Sequence, residues 1–204
     1  MTSGTATRRR NEQTQSATAG RRSAARRRRL AGTAWVVGLL VATGLVVAGL
    51  VSARPTESAE ARPAPPFNLA STAGDTVSLA DFRGAPVVLY FNEGAGCDSC
   101  LVQMAEIERY DGFAAAGIQV VPIVMNTRDQ IADEMARLGV RTPFLLDDGT
   151  VSEAYGTLGA GMHAGLPGHG FVLIDAGGVQ RWYGNYPSMW IAPDELLELV
   201  LARI

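Results

Sequence analysis

Residues 86–100 read PVVLYFNEGAGCDSC, and this stretch decides the interpretation of the fold. Its first half, Pro86 to Asn92, is a continuous β-branched and aromatic run, which is typical of a strand buried on both faces. The chain's two cysteines, Cys97 and Cys100, follow the glycine-rich turn at a point where the pattern predicts a helix start. This order of strand, turn and thiol pair indicates redox chemistry on an α/β scaffold.

Apolar runs that alternate with amphipathic stretches complete the α/β pattern. Further strands are predicted at Ile118–Met125, Phe171–Asp175 and Val179–Tyr183. Helices are predicted at Cys100–Ala116, Thr127–Leu138 and Pro193–Ala202. The turn residues Ala176-Gly177-Gly178 favour an antiparallel hairpin between the last two strands, so we expect a mixed central sheet covered by helices.

The thiol pair is expected to work as a unit. At a helix N-terminus the macrodipole and unpaired N–H groups stabilise a thiolate, which makes Cys97 the predicted nucleophile and lowers its expected pKa. Cys100, one turn on, can then resolve a mixed disulfide formed at Cys97. Asp98 would oppose this effect through its own negative charge, unless it is a solvated residue at the helix start. A purely structural disulfide is the alternative, although so short a loop stabilises weakly.

The N-terminal part of the chain predicts membrane attachment. Residues 30–51 carry no charge over 22 positions, which is enough helix to cross a hydrocarbon core of roughly 30 Å. We therefore predict a transmembrane anchor over residues 30–52. A cleaved signal peptide is the alternative, since Ala59-Glu60-Ala61 offers a small-x-small pattern, but its apolar region is usually shorter.

Charge asymmetry predicts the topology. Residues 1–29 form a basic tail with nine arginines and one acid, and the remaining chain holds nine arginines and 19 acids. The positive-inside rule places this tail in the cytoplasm and everything after the anchor outside. Topology explains the arginines, and nucleic acid is not an expected partner because no folded recognition motif accompanies them. Residues 53–66 read as a Pro- and Ala-rich linker, and residues 67–204 as the folded domain.

The folded domain resembles the thioredoxin-fold redoxins, which include TlpA/ResA-like thiol-disulfide oxidoreductases and AhpC/TSA-type peroxiredoxins. The segment before the cysteines resembles the N-terminal part of the family's domain. The positions that carry this resemblance are Phe67, Leu69, Gly74, Val77, Leu79, Phe82, Gly84, Pro86 and Tyr90-Phe91. Gly165-Leu166-Pro167 and the following Phe171–Asp175 resemble the family's cis-Pro loop and next strand. The resemblance implies a thioredoxin-like three-layer α/β fold.

The sequence departs from both branches of that family. Laid over the peroxiredoxin motif PxxxTxxC, the chain has Glu93 at the Pro, Cys97 at the Thr and Cys100 at the peroxidatic cysteine. Peroxiredoxins also resemble one another in an arginine shortly before the strand that corresponds to Phe171–Asp175. Here Gly168-His169-Gly170 stands in that place, so Arg181 or another arginine would have to supply the cation. The oxidoreductase branch usually has an aromatic residue where this chain has Gly96.

The Gly165–Gly170 loop is the predicted second part of the site. In this fold it faces the cysteines, so we expect it against the Cys97 sulfur, with Leu166-Pro167 as a possible cis bond and Pro167 shaping the site. His169 is a candidate proton donor or metal ligand. The alternative is an exposed loop histidine among glycines, and His163 is the chain's other imidazole.

The sequence thus predicts a membrane-anchored, extracytoplasmic thiol-disulfide oxidoreductase that exchanges with protein or small-molecule thiols and disulfides. It would need an external redox partner and no cofactor. One alternative is a peroxiredoxin-like peroxidase in which Cys100 attacks the peroxide and Cys97 resolves it. A second is a copper-binding or metallochaperone module that uses Cys97, Cys100 and His169, because thiolates and imidazole suit copper.

Overall fold

The computed structural model describes residues 35–52, 54–159 and 164–204, and the chain's internal contacts divide it after Ser52 into two units. The first unit contains helix α1, Trp35–Ser52, with a mean hydropathy of 2.2 and exposed side chains throughout. By length and composition α1 could cross a membrane, and a signal sequence would meet the same criteria. The basic tail and predicted anchor residues 30–34 lie outside the described residues.

The second unit is built on one mixed sheet. Its described residues form nine strands: β1 Thr56–Ser58, β2 Arg62–Pro63, β3 Asn68–Ser71, β4 Thr76–Ser78, β5 Val87–Phe91, β6 Gln119–Val124, β7 Leu145–Leu146, β8 Gly170–Ile174 and β9 Val179–Asn185. The spatial order is β1-β9-β8-β5-β6-β7-β3-β4, and β2 also pairs with β9. Central β5 pairs parallel with β6 and antiparallel with β8, and β8 forms the predicted hairpin with β9.

Helices cover the sheet. They are α2 Asp98–Arg109, α3 Gly112–Ala115, α4 Arg128–Leu138, α5 Thr150–Tyr155 and α6 Pro193–Leu201, with a 3-10 helix at Leu79–Phe82. The predictions for α4 and α6 are confirmed within one residue at each end. Helix α4 begins at the Thr127–Gln130 capping box and ends at Gly139, which has a φ of 71°.

The prediction of one continuous helix over Cys100–Ala116 is wrong. Helix α2 ends at Arg109, Tyr110 adopts an extended conformation, and a short α3 follows. After this break, the Phe113 side chain lies in the core, where it is 4% exposed. It also packs the Tyr110 ring over Gly112, at a place where any Cβ would collide with that ring.

Two hydrophobic cores flank strand β5. Val88 and Tyr90 face the core that α2 and α6 cover, while Val87, Leu89 and Phe91 face the core that includes α5. All five side chains are at most 1% exposed, as the continuous apolar run predicts. This strand therefore anchors the centre of the domain, and its carboxyl end carries the loop that leads to the cysteines.

Residues 54–66, which the sequence predicts as part of a linker, contain two short strands of the sheet. Strands β1 and β2 pair antiparallel with β9 and so form this edge of the sheet. The Glu57 carboxylate accepts hydrogen bonds from Trp182 Nε1 at 3.1 Å and from Arg203 Nη2 at 2.9 Å. Short, polar, proline-containing segments suit such an edge position, where they satisfy the outer N–H and C=O groups of β9. The ordered part of the domain thus begins before Phe67.

Candidate active site

A disulfide joins Cys97 and Cys100, whose Cα atoms lie 5.4 Å apart at the start of α2. Cys97 is the residue that caps the helix, and Cys100 lies in its first turn with its backbone N–H donating to the Cys97 carbonyl at 3.0 Å. Cys97 is half-buried, whereas Cys100 is 0% exposed. The oxidised pair therefore has one sulfur within reach of a partner and one enclosed by protein.

The turn before Cys97 is held by two asparagine side chains. Asn92 Oδ1 accepts the Gly94 N–H at 3.0 Å, and Asn126 Oδ1 accepts the Ala95 N–H at 2.9 Å. Gly94 has a φ of 69°, and a Cβ at this position would collide with the Asn126 side chain. A glycine is therefore required here, and it fixes the path by which β5 delivers Cys97 to the helix start.

Asp98, the residue after the outer cysteine, is paired with a cation from α4. Arg137 Nη2 contacts Asp98 Oδ1, Arg137 Nη1 lies 3.3 Å from Oδ2, and Arg137 also pairs with Glu134. The hydrogen bonds that Arg137 donates to these two carboxylates, Asp98 first, hold the pKa of Arg137 above its ordinary value. The positive charge offsets the repulsion that Asp98 alone would exert on a thiolate at Cys97, so the helix dipole is less opposed than the sequence suggested.

His169 lies beside the buried cysteine rather than the outer one. Its Nδ1 is 3.8 Å from Cys100 Sγ and 3.0 Å from the hydroxyl of Tyr90. The same hydroxyl donates to the Cys100 carbonyl at 3.1 Å. His169 is 1% exposed, so the interpretation as an exposed loop histidine is wrong. Tyr90, His169 and Cys100 form a cluster that we call the buried triad.

Burial controls the protonation of the buried triad. It lowers the pKa of His169 to about 4, so the imidazole is neutral at pH 7. Burial, with a further contribution from the Glu93 charge, raises the pKa of Tyr90 well above its ordinary value. The neutral ring of His169 therefore has one unprotonated nitrogen near neutral pH, which can accept a proton, and the phenol keeps its own proton.

The loop that carries His169 differs from the prediction. The described residues contain no cis peptide bond, so Leu166-Pro167 is trans. Pro167 forms a bridge with Leu158, Gly168 N–H donates to Thr157 O at 3.1 Å, and Leu166 O accepts from Gly159 N–H at 2.8 Å. Two backbone groups of the loop are thus hydrogen-bonded within the domain. The predicted contact of the Gly165–Gly170 loop with the Cys97 sulfur, and the role of Pro167 in the site, remain predictions.

Two further expectations concern cations and metals. Arg181 does not supply the missing arginine, because its Nε pairs with Asp175 Oδ2 at 2.6 Å on the β8–β9 hairpin. Within residues 35–52, 54–159 and 164–204, no three His, Cys, Asp or Glu side chains are grouped as metal ligands. The copper interpretation therefore gains no support from the structure. His163 lies outside the described residues.

Sequence reasoning missed Tyr90, Asn126 and Arg137. Tyr90 looks like an ordinary core residue within a strand buried on both faces, and the only signal was a polar hydroxyl in an otherwise apolar run. Asn126 and Arg137 reach the site from a loop and a helix that follow β6, at sequence distances of about 30 to 40 residues. Such contacts depend on the packing of β6 and α4 beside β5, which periodicity does not specify.

A mixed sheet whose central strand leads into a cysteine pair at a helix start defines a thioredoxin-like redoxin domain. The sequence profile of the AhpC/TSA family matches residues 61–182, which is more than half of the chain. The chain belongs to the AhpC/TSA family, and the predicted resemblance is confirmed.

Two proteins with similar sequences are named as peroxiredoxins. A Mycobacterium tuberculosis protein assigned to the peroxiredoxins is 35% identical over 98 residues, or 47% of this chain and 62% of that protein. The chain thus spans about three fifths of that relative's length. Chloroplastic peroxiredoxin Q of Sedum lineare is 29% identical over 138 residues, or 67% of this chain and 74% of that protein.

Solved structures agree on the fold. Peroxidoxin BcpB from Mycobacterium tuberculosis superposes with a TM-score of 0.57 at 20% identity, over 69% of this chain and 92% of that one. At this identity the likeness supports the three-layer thioredoxin-like architecture alone. It leaves the roles of Cys97, Cys100 and the buried triad to be argued from their own geometry.

Proposed function

We propose that this domain is a thiol-disulfide oxidoreductase whose Cys97–Cys100 pair cycles between disulfide and dithiol. The observation that carries the proposal is the unequal exposure of the two sulfurs at one helix start. A partner can reach half-buried Cys97, while Cys100 is 0% exposed and can attack only inward, toward Cys97. Membership of the AhpC/TSA family supports thiol chemistry at this position.

The exchange has two balanced steps. The Cys97 thiolate attacks a partner disulfide, forms a mixed disulfide and releases the partner's first thiolate. The Cys100 sulfur, after losing its proton, then attacks Cys97 Sγ, closes the intramolecular disulfide and releases the second thiolate. Two electrons have passed from the protein to the partner, and an external dithiol must restore the reduced pair. Run backward, the same steps oxidise a partner dithiol, and the direction depends on the two potentials.

Single-cysteine variants test this proposal. Cys100→Ser should trap a mixed disulfide between Cys97 and a partner protein or small disulfide, because the resolving sulfur is missing. Cys97→Ser should trap none, because Cys100 is enclosed. The adducts can be separated on non-reducing gels and located by peptide mass spectrometry. Trapping by the Cys97→Ser variant, with none from Cys100→Ser, would reverse the roles and contradict the proposal.

A second candidate function is thiol peroxidase activity, which the peroxiredoxin relatives favour, as does the motif PxxxTxxC, which places Cys100 at the peroxidatic cysteine when laid over this sequence. A Cys100 thiolate would attack the peroxide O–O bond, giving a sulfenic acid and, with a proton, an alcohol or water. Cys97 would then condense with the sulfenic acid, forming the disulfide and releasing water. The enclosure of Cys100 is the observation against it, since the peroxide would have to enter the buried triad.

Peroxide turnover separates the two candidates. The reduced protein would be mixed with hydrogen peroxide or an organic hydroperoxide, with a dithiol as reductant and peroxide loss as the readout. A peroxidase should lose turnover in Cys100→Ser, and in Cys97→Ser it should accumulate a sulfenic acid that a dimedone probe labels. An exchange enzyme should turn over disulfide substrates and leave peroxide consumption at the rate of free thiols.

We further propose that α1 is retained as an anchor with the redoxin domain on the extracytoplasmic side. The support is the apolar composition of Trp35–Ser52, the arginine-rich sequence before it and the use of Thr56–Ser58 as a strand of the domain. Cleavage after Ala61 would remove β1 and with it the Glu57 contacts to Trp182 and Arg203. Protease added to intact cells should digest the domain. A mature protein whose measured mass corresponds to a chain that starts at residue 62 would contradict retention of the anchor.

A further inference from the structure

The buried triad contains an imidazole that the exchange steps above leave without a role. His169 is 1% exposed, and its Nδ1 lies 3.8 Å from the sulfur of Cys100. Cys100 itself is 0% exposed, so bulk water has no direct access to a proton on this sulfur. An ordinary thiol is mostly protonated at neutral pH, and only the thiolate is nucleophilic. The resolving step therefore needs a proton acceptor inside the protein.

The geometry points to His169 as the acid–base residue of the exchange, which takes the proton of Cys100 when this sulfur attacks Cys97. This inference rests on the proposed exchange function and deepens it. It assigns the imidazole to the buried sulfur and to the second step, whereas the first step at Cys97 proceeds without it.

His169 takes up one proton in this step and releases it again. Before the step, Cys97 carries the partner in a mixed disulfide, Cys100 is a thiol and His169 is neutral. As the Cys100–Cys97 S–S bond forms, the bond from Cys97 to the partner breaks, and its electron pair leaves on the partner's sulfur. The Cys100 proton moves to His169 Nδ1, and the imidazolium returns it to the departing thiolate or to solvent. The ring is neutral before and after, so each cycle begins from the same state.

Tyr90 is placed to support the charged intermediate. Its hydroxyl lies 3.1 Å from the Cys100 carbonyl, to which it donates, and 3.0 Å from Nδ1 and 3.3 Å from Nε2 of His169, so its oxygen can accept a hydrogen bond from a protonated ring nitrogen. A hydroxyl oxygen accepts a hydrogen bond from an imidazolium better than from a neutral ring. Tyr90 thus orients His169 by contact and stabilises its protonated form, and we describe it as a positioning residue.

The other groups around the ring do not compete for the proton. Phe171 of β8 packs edge-on against the rings of both His169 and Tyr186, and the Tyr186 backbone N–H donates to the His169 carbonyl at 2.8 Å. Burial raises the pKa of Tyr186, as it does that of Tyr90, so both phenols stay neutral. The negative charge of Glu93 adds to the rise in the pKa of Tyr90. Burial leaves His169 unprotonated at pH 7, with a pKa of about 4, and the nascent thiolate raises its proton affinity during the step.

Stopped-flow reaction of the reduced full-length protein, in detergent, with the aromatic disulfide DTNB separates the two steps. Attack by Cys97 releases one coloured thiolate, and resolution by Cys100 releases the second. We expect His169→Asn to slow the second release about a hundredfold, a typical loss for one acid–base group, and to leave the first release unchanged. His169→Gln should behave alike, because an amide can hydrogen bond but cannot take up a proton. His163→Asn, which removes the chain's other imidazole, is the matched control.

The pH profile distinguishes proton transfer from a structural role. The second release in the wild type should depend little on pH between 6 and 8, whereas in both His169 variants it should rise about tenfold per pH unit, because the thiolate must then form by loss of a proton to solvent. Unchanged second-step rates and profiles would overturn the inference alone, and so would equal losses in both steps. A wild type that releases only one thiolate would instead overturn the proposed exchange function.

Discussion

Cys97 and Cys100 are joined by one bond, yet their surroundings differ in almost every respect. Cys97 lies half-buried at the end of a polar, glycine-rich turn, next to the exposed Asp98–Arg137 ion pair. Cys100 lies at 0% exposure among aromatic rings, with the neutral His169 as its polar neighbour. We call the surroundings of Cys97 the outer side of the pair and the surroundings of Cys100 the inner side. The outer side is accessible to a partner and carries charged groups, whereas the inner side is enclosed and contains a proton acceptor. Two cysteines at one helix start can therefore have different environments, each suited to a different step of the exchange.

The strongest test of the outer side removes the glycine that shapes its turn. Gly94→Ala would place a Cβ at a φ of 69° and against the Asn126 and Val124 side chains. Left-handed strain and overpacking together should lower the free energy of unfolding by about 3 kcal/mol. Gly96→Ala is the matched control, since Gly96 also has positive φ but open space around it, and about 1 kcal/mol is expected. Urea unfolding followed by tryptophan fluorescence measures both, and equal losses would show that the Asn126 contact is unimportant.

Burial of His169 on the inner side should make the free energy of unfolding depend on pH. The pKa of His169 is about 4 in the folded protein, against about 6.5 in an unfolded chain. Between these values the unfolded chain binds a proton that the folded one does not, so stability rises with pH through this window. Acidification from pH 7 to pH 4 should therefore cost the wild type up to about 3 kcal/mol more than His169→Asn. Parallel stability curves for wild type and variant would contradict the burial of a neutral imidazole.

A smaller effect is expected from the hydroxyl of Tyr90. Tyr90→Phe removes the hydrogen bonds to His169 and to the Cys100 carbonyl, at a cost of about 1 to 2 kcal/mol. The control is Tyr155→Phe, because the Tyr155 hydroxyl donates to Pro65 O at 2.7 Å in the other core. Both variants should lose similar stability in urea unfolding, but only Tyr90→Phe should slow the second thiolate release from DTNB. Equal kinetics in the two variants would separate Tyr90 from the chemistry of the inner side.

The smallest effect belongs to the ion pair beside Cys97. Asp98→Asn should speed alkylation of Cys97 about twofold and Arg137→Ala should slow it by a similar factor, because exposed charges act weakly on a neighbouring thiolate. Both effects should fade as salt is raised toward 1 M, where charges are screened within a few ångströms. Rates measured with iodoacetamide at low and high salt provide the check. Effects that persist at high salt would point to a change in the turn itself rather than to its charge.

Much of the outer side could be predicted from the sequence, because its signals are local. A buried apolar run, glycines and a cysteine pair within 15 residues specify a strand, a turn and a helix start, and all three are observed. The break after Arg109 was missed, since it depends on how Tyr110 packs over Gly112. The pairing of residues 56–63 with β9 was missed because edge strands need not be apolar.

The inner side could be predicted only in part. The resemblance placed His169 in a loop near the cysteines, but its distance to either sulfur depends on the antiparallel register of β8 against β5, where Gly170 pairs with Phe91. That register brings His169 beside Tyr90 and Cys100 rather than Cys97. The trans Leu166-Pro167 bond and the use of the loop backbone by Thr157 and Gly159 likewise follow from packing that a single sequence does not contain.

Competitive alkylation of the reduced, full-length protein compares the reactivity of the two sulfurs in one molecule. The protein would receive a small excess of iodoacetamide near neutral pH, and peptide mass spectrometry would report the modified fraction of each cysteine over time. We expect Cys97 to be modified first and Cys100 to be modified slowly, because Cys100 is enclosed. Faster modification of Cys100 would contradict the assignment of the outer sulfur as nucleophile and favour the peroxidase arrangement.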